Sequence, residues 1–231
     1  MYLVIYSMFS AIAVSSKKRM SLFAIIITAM FLLWFMGGRN NVGCDYLGYL
    51  SRFNNASLDM SLMDYLQGAE PGFEILNDSV KRFDLDYMWL NVISSAMILW
   101  GYFRFFRISS QPWMALALFF PILIVQLGMS GLRQGIALAF FLCALVAFSR
   151  RRGGETAAWI LLAGQFHTSA LVFLPLAALA GRSVSFFKLL VGAMVFVPAV
   201  TLLIGDRLEV YQDRYIDQIY GEVNSDGAVV R

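Results

Sequence analysis

The chain has 231 residues, 59% of them hydrophobic and 14% charged, with a formal net charge of +3. Soluble domains carry about 25% charged residues, so this composition excludes a disordered chain and a water-soluble globule with an ordinary surface. The mean hydropathy of +0.68 and the gathering of charges into a few turns indicate a polytopic membrane protein, in which the position of charge matters more than its sum and a small positive net charge does not imply nucleic-acid binding.

A membrane span needs roughly 17–25 apolar residues to cross about 30 Å of hydrocarbon. In chain order the apolar runs are Met1–Val14, Met20–Met36, Tyr87–Phe103, Trp113–Met129, Gln134–Ser149, Ala157–Ala180 and Phe186–Ile204. The first run is followed, not preceded, by its basic cluster, which is the reverse of a secretory signal. No internal repeat or flexible linker divides the chain. The expected fold is therefore an all-α polytopic integral membrane helical bundle of about six to eight transmembrane or half-spanning helices, forming one membrane domain over residues 1–231.

Charge orients this bundle. Lys17-Lys18-Arg19, Arg104 with Arg107, and Arg150-Arg151-Arg152 occupy alternate connections, and only Glu155 opposes them. Basic turns stay on the cytoplasmic side. The segment from Gly37 to Asp86 has four basic and eight acidic residues, so it is external, as are the amino terminus and the turn Met129–Arg133. The run Ala157–Ala180 reads in two ways, as one tilted span with His167 near its centre or as two half-helices that break at His167 and return. The second reading puts Arg182 and Lys188 inside and the polar tail 205–231 outside; it requires the break to be buried in protein or to face a water-filled cavity.

Several residues within this frame can carry chemistry. Arg39 and Asp45 follow the second run at the membrane surface, and Tyr46, Tyr49, Leu50 and Phe53 share one helical face. That face suits headgroup-level tyrosines, and it equally suits a sugar, which offers hydroxyls and an apolar ring face. Ala69-Glu70-Pro71-Gly72-Phe73-Glu74 reads as a turn opening a helix, and eight acids in this segment leave its two carboxylates undistinguished. Ser130 is the expected N-cap of the helix bearing Arg133 and Gln134. Arg133 in a first helical turn opposes the helix dipole, and no acid lies within 20 positions of it. Such an arginine is an anion site, a snorkelling residue, or the partner of a distant acid such as Asp45. His167, the one histidine, suits a general base or a phosphate contact, or else an imidazole bonded to backbone at the helix break. Cys44 and Cys143 stand in different contexts and form no redox or metal motif, and no disulfide is expected between them. No glycine-rich phosphate loop is present.

Taken in order, Arg39-Asn40-Asn41-Val42-Gly43-Cys44-Asp45-Tyr46-Leu47-Gly48-Tyr49, Glu70-Pro71-Gly72-Phe73, Leu132-Arg133-Gln134-Gly135-Ile136-Ala137 and Phe166-His167-Thr168-Ser169-Ala170 resemble the EpsG/Wzy-type bacterial polysaccharide polymerases. Cys44 departs from the threonine or other small residue expected there. Members usually continue through several more spans, so the chain reads as C-terminally short. The resemblance implies an inner-membrane enzyme that joins undecaprenyl-pyrophosphate-linked oligosaccharide repeats on the outer face. It implies catalytic roles for Arg133 and His167 and substrate contacts by Arg39, Asp45, Tyr46, Tyr49 and Gln134. Neither metal nor nucleotide cofactor is required. The implied partners are the lipid-linked substrate, membrane lipids, and a chain-length regulator and flippase of the same pathway. A flippase, or a non-catalytic subunit of the same assembly system, is the alternative. A ligase is not separated from a polymerase by residue spacing.

Overall fold

The computed structural model describes residues 1–16, 20–56, 62–68, 70–180 and 194. The chain divides into two compact units, Met1–Arg182 and Ser183–Arg231. The expected run Phe186–Ile204, the tail 205–231 and the basic cluster 17–19 lie outside the described residues.

Among the described residues the structure is helical throughout, without strands. In chain order these are α1 (Tyr2–Ser15), α2 (Leu22–Gly37), α3 (Tyr46–Asn54), α4 (Leu62–Gln67), α5 (Pro71–Arg82), α6 (Tyr87–Phe106), α7 (Pro112–Phe119), a π-helical continuation (Phe120–Leu127), α8 (Leu132–Ser149), α9 (Gly153–Phe166), a 3₁₀ segment (Thr168–Phe173) and α10 (Pro175–Leu179). By length and composition, Leu132–Ser149 is long and apolar enough to cross a membrane. Four further apolar helices are shorter: Tyr2–Ser15, Leu22–Gly37, Pro112–Leu127 and Thr168–Leu179.

Local chemistry explains most of the boundaries. Ser21 caps α2 by accepting from the Ala24 N–H at 3.2 Å, satisfying one of the donors a helix start leaves unpaired. Pro71 occupies the start of α5, where its missing N–H costs nothing; Glu74 lies in the first turn, and Lys81 and Arg82 in the last, all in accord with the helix dipole. Asp84 at φ 56° and Arg151 at φ 60° turn the chain after α5 and α8. Pro121 cannot donate to the carbonyl four residues earlier, and the wide π turn begins beside it. Ser130 is not the cap of α8: the helix starts one residue later behind Gly131, which has no side chain to offer.

The core sits on α6 and α8. Helix α6 packs on α2 and α8, α8 on α9, and α1 on α7 with its π continuation. Leu90, Ile98, Leu132, Ile136 and Cys143 are fully enclosed. Phe140 of α8 meets Trp159 and Phe166 of α9 at ring-centroid separations of 5.9 and 5.5 Å.

The run Ala157–Ala180 breaks. Helix α9 ends at Phe166, His167 is extended (φ −154°, ψ 112°), and the chain then doubles back. A Cβ built on Gly153 at the start of α9 would lie 2.6 Å from the Ala177 carbonyl oxygen. Start and finish of the hairpin are thus side by side, with His167 at its tip.

Candidate functional site

Three segments distant in sequence converge at that tip. Glu70 sits at the N-cap position of α5 but caps nothing. Its carboxylate pairs instead with the Arg133 guanidinium and with His167 Nδ1, the latter at 2.7 Å. The Glu70 side chain is 8% exposed, that of His167 22% and that of Arg133 34%. Burial alone would raise the Glu70 carboxyl, but the His167 hydrogen bond and the Arg133 charge overcome it and hold the group below its ordinary value. An ionised carboxylate only accepts, so Nδ1 carries the proton and donates it to Glu70. In that tautomer Nε2 is the ring nitrogen that can accept.

Gly72 lets α5 approach closely enough for this contact. A Cβ at Gly72 would fall 2.9 Å from the Gln165 Cβ and 3.1 Å from its carbonyl oxygen. Arg133 is also tied to α3: its Nε donates to Tyr49 Oη at 3.4 Å, and the guanidinium lies 5.7 Å from the Tyr49 ring centroid. Tyr49 rests on Phe73 of α5 at 5.6 Å. Beside them Arg52 pairs with Glu74 and lies over Phe73. Of the five guanidinium N–H donors of Arg133, those not facing Glu70 and Tyr49 are available to a ligand.

The other residues singled out from the sequence lie elsewhere. Arg39 is 7% exposed. It donates to the carbonyls of Met36 (3.2 Å) and Gly128 (3.0 Å) and to Asn91 Oδ1 (2.8 Å), clamping the end of α2 to α6 and to the end of the π segment. Burial draws its pKa below the ordinary arginine value. Tyr46 is buried, donates to Asn40 Oδ1 at 3.1 Å and meets the Tyr87 ring edge-on at 5.3 Å. Arg39 and Tyr46 line a cavity of about 640 Å³ together with Asn40, Phe53, Asp86 and Tyr87. Asp45 and Gln134 are exposed and join neither group. The distant acid facing Arg133 is therefore Glu70, not Asp45. Cys44 is exposed and Cys143 buried, both as free thiols.

Glu70 is the residue that sequence reasoning did not single out. Eight acids in the segment hid it; the available signal was its place directly before Pro71-Gly72, which sets an acid at a helix start that packs closely on a neighbour.

Among the described residues, fold and site together define a helical protein with a carboxylate-bridged arginine and histidine between its helices, one of which is long and apolar enough to cross a membrane. The chain belongs to the EpsG family, whose family model matches residues 2–223. That membership carries a polysaccharide polymerase-type function. No curated protein and no solved structure matches the chain.

Proposed function

We propose that this protein is a multi-pass polymerase that joins undecaprenyl-pyrophosphate-linked oligosaccharide repeats on the outer face of the inner membrane. The observation that carries the reading is the Arg133–Glu70–His167 cluster, in which one shielded carboxylate orients both an arginine suited to phosphate and a histidine held through its Nδ1. In the reaction an acceptor sugar hydroxyl attacks the anomeric carbon of the donor glycan. A new C–O bond forms, the bond from that carbon to the pyrophosphate oxygen breaks, and the hydroxyl proton passes to His167 Nε2. Arg133 meets the charge developing on the pyrophosphate, which strengthens as the bond lengthens and so favours the transition state. Glu70 is a positioning residue: it fixes the imidazole tautomer and holds the guanidinium in place, and it stabilises the imidazolium formed by proton transfer.

The cavity holding Tyr46, Tyr87, Asn40 and Asp86 suits an acceptor sugar, since aromatic faces meet the C–H faces of sugar rings and the amide and carboxylate meet hydroxyls. Arg39 shapes this cavity through its backbone clamp, and the exposed Asp45 and Gln134 lie where incoming glycan passes. Six to eight crossings or half-crossings are supported by the outward-facing apolar side chains Leu3, Phe23, Trp34 and Leu118 on α1, α2 and α7 and by the alternation of basic and acidic connections. The amino terminus and residues 37–86 then face outward. A chain-length regulator and a flippase are the pathway partners this reaction needs.

The test is product analysis with purified lipid-linked repeats and the protein in membranes. Wild type should yield a ladder of joined repeats, and Arg133→Ala and His167→Ala should leave single repeats. Unchanged ladders from both variants would sink the enzymatic reading. Repeats stranded on the cytoplasmic face in cells would point to a flippase.

A further inference from the structure

Between α2 and α6, at the end of the bundle shared by the arginine turns, lies a groove of about 730 Å³. Its walls are apolar: Ile26, Met30 and Leu33 from α2, and Leu99, Trp100 and Phe103 from α6. Ile26, Met30 and Trp100 are about half or more exposed, so the groove opens sideways and not into the core. Arginines 104, 107 and 150 stand at its end, and no carboxylate lines it among the described residues. Arg104 is already committed, paired with Glu155 at 3.0 Å and held over the Trp100 and Trp159 rings. Arg107 and Arg150 are exposed and make no ion pair among the described residues.

The dimensions match a single leaflet. From Ala96 to Arg107 the α6 wall runs about 16 Å at the helical rise, roughly half of the ~30 Å hydrocarbon thickness. An amphiphile whose phosphate meets Arg107 and Arg150 therefore has its chain lying along the groove and ending near mid-bilayer. Basic turns face the cytoplasm, where the leaflet carries anionic lipid. We propose that this groove is a binding site for an anionic diacyl phospholipid of the cytoplasmic leaflet, with one acyl chain between α2 and α6 and the headgroup phosphate on Arg107 and Arg150. The proposal uses the membrane orientation above but none of the polymerase chemistry. It separates two functions by side: glycan chemistry at the Glu70 end, lipid anchorage at the arginine end.

The test is native mass spectrometry of the full-length protein in detergent with added palmitoyl-oleoyl phosphatidylglycerol or the matching phosphatidylcholine. One phosphatidylglycerol should be retained in preference to phosphatidylcholine. The double variant Arg107→Gln/Arg150→Gln should lose about 25-fold of that preference, at roughly fivefold per arginine. Met30→Trp, which fills the groove and spares both arginines, should reduce retention of either lipid. Circular dichroism establishes that each variant is folded. Equal retention of the two lipids by wild type overturns the site, as does a preference that survives the double variant. Retention of undecaprenyl phosphate but not of phosphatidylglycerol overturns the assignment to phospholipid. Because lipid retention is the readout, loss of this proposal leaves the ladder assay intact, and the converse also holds.

Discussion

Glu70 Oε1 and His167 Nδ1 are 2.7 Å apart although 97 positions separate them in sequence. The contact joins the start of α5 to the tip of the α9–α10 hairpin, and Arg133 of α8 closes the same carboxylate from the other side. One shielded anion thus holds two groups that would otherwise repel each other whenever the imidazole is protonated.

Glu70→Gln should weaken this cluster from both sides. The amide keeps the shape and can still accept from Nδ1–H, but it leaves Arg133 without its charge partner. The expected cost is about 1–3 kcal/mol, the usual penalty for a shielded hydrogen-bonded charge that loses its partner. Thermal unfolding in detergent measures it, and product ladders should shorten in parallel. Glu74→Gln, which touches only the more exposed Arg52 pair, should cost under about 1 kcal/mol.

Acid should act through the same carboxylate. Its folded pKa lies below the ordinary value of 4.5, so the stabilisation is present above that value and is lost as pH falls through the folded pKa. Melting temperatures recorded from pH 7 to about pH 3 should therefore fall more for wild type than for Glu70→Gln below the ordinary carboxylate range. Parallel curves would remove Glu70 from the acid response.

Packing at Gly72 gives a sharper geometric test. In Gly72→Ala the new methyl would press on Gln165 and Phe166, moving α5 away from α9 and Glu70 away from His167. A loss of about 1–3 kcal/mol is expected from overpacking. Gly48→Ala meets nothing within 4 Å and should gain about 0.4–1 kcal/mol by restricting the unfolded chain. Both are read by thermal melts, and only the first should reduce polymer formation.

Arg39→Lys should be destabilising despite keeping the charge. A single ammonium on a flexible stem cannot reproduce the planar fork that reaches the Met36 and Gly128 carbonyls and Asn91 together. The expected loss is about 1–3 kcal/mol, larger than that of Arg107→Lys, which has no ion pair to break among the described residues.

Cys44 reports orientation. It is exposed at the start of the segment 37–86, which the proposed orientation puts outside, whereas Cys143 is buried in α8. A membrane-impermeant maleimide should label intact spheroplasts through Cys44, and Cys44→Ser should abolish the signal. Labelling that requires lysis would invert the proposed orientation.

Much of the helical framework was legible in the chain. The runs Met1–Val14, Met20–Met36 and Tyr87–Phe103 correspond to α1, α2 and α6 within a few residues, because a continuous apolar stretch bounded by charge is a local property. The helical face Tyr46, Tyr49 and Phe53 is buried as its spacing requires. Charge alternation also favoured a break near His167, which the hairpin displays. Ser130 misled, since a good capping residue does not act as one when the helix begins a residue later, behind Gly131.

Local pattern by itself therefore determined that this protein is apolar, helical and asymmetric in charge, because hydropathy and helical period act over neighbouring residues. It also singled out Arg133 and His167, whose polarity stands out against apolar surroundings. Only the tertiary structure decided that Glu70, among eight acids in its segment, is the one between them, and that Arg39 is a buried clamp. The physical reason is that shielding and pairing depend on which helices meet. Gly72 against Gln165 and the reversal at His167 bring together segments that sequence spacing leaves far apart.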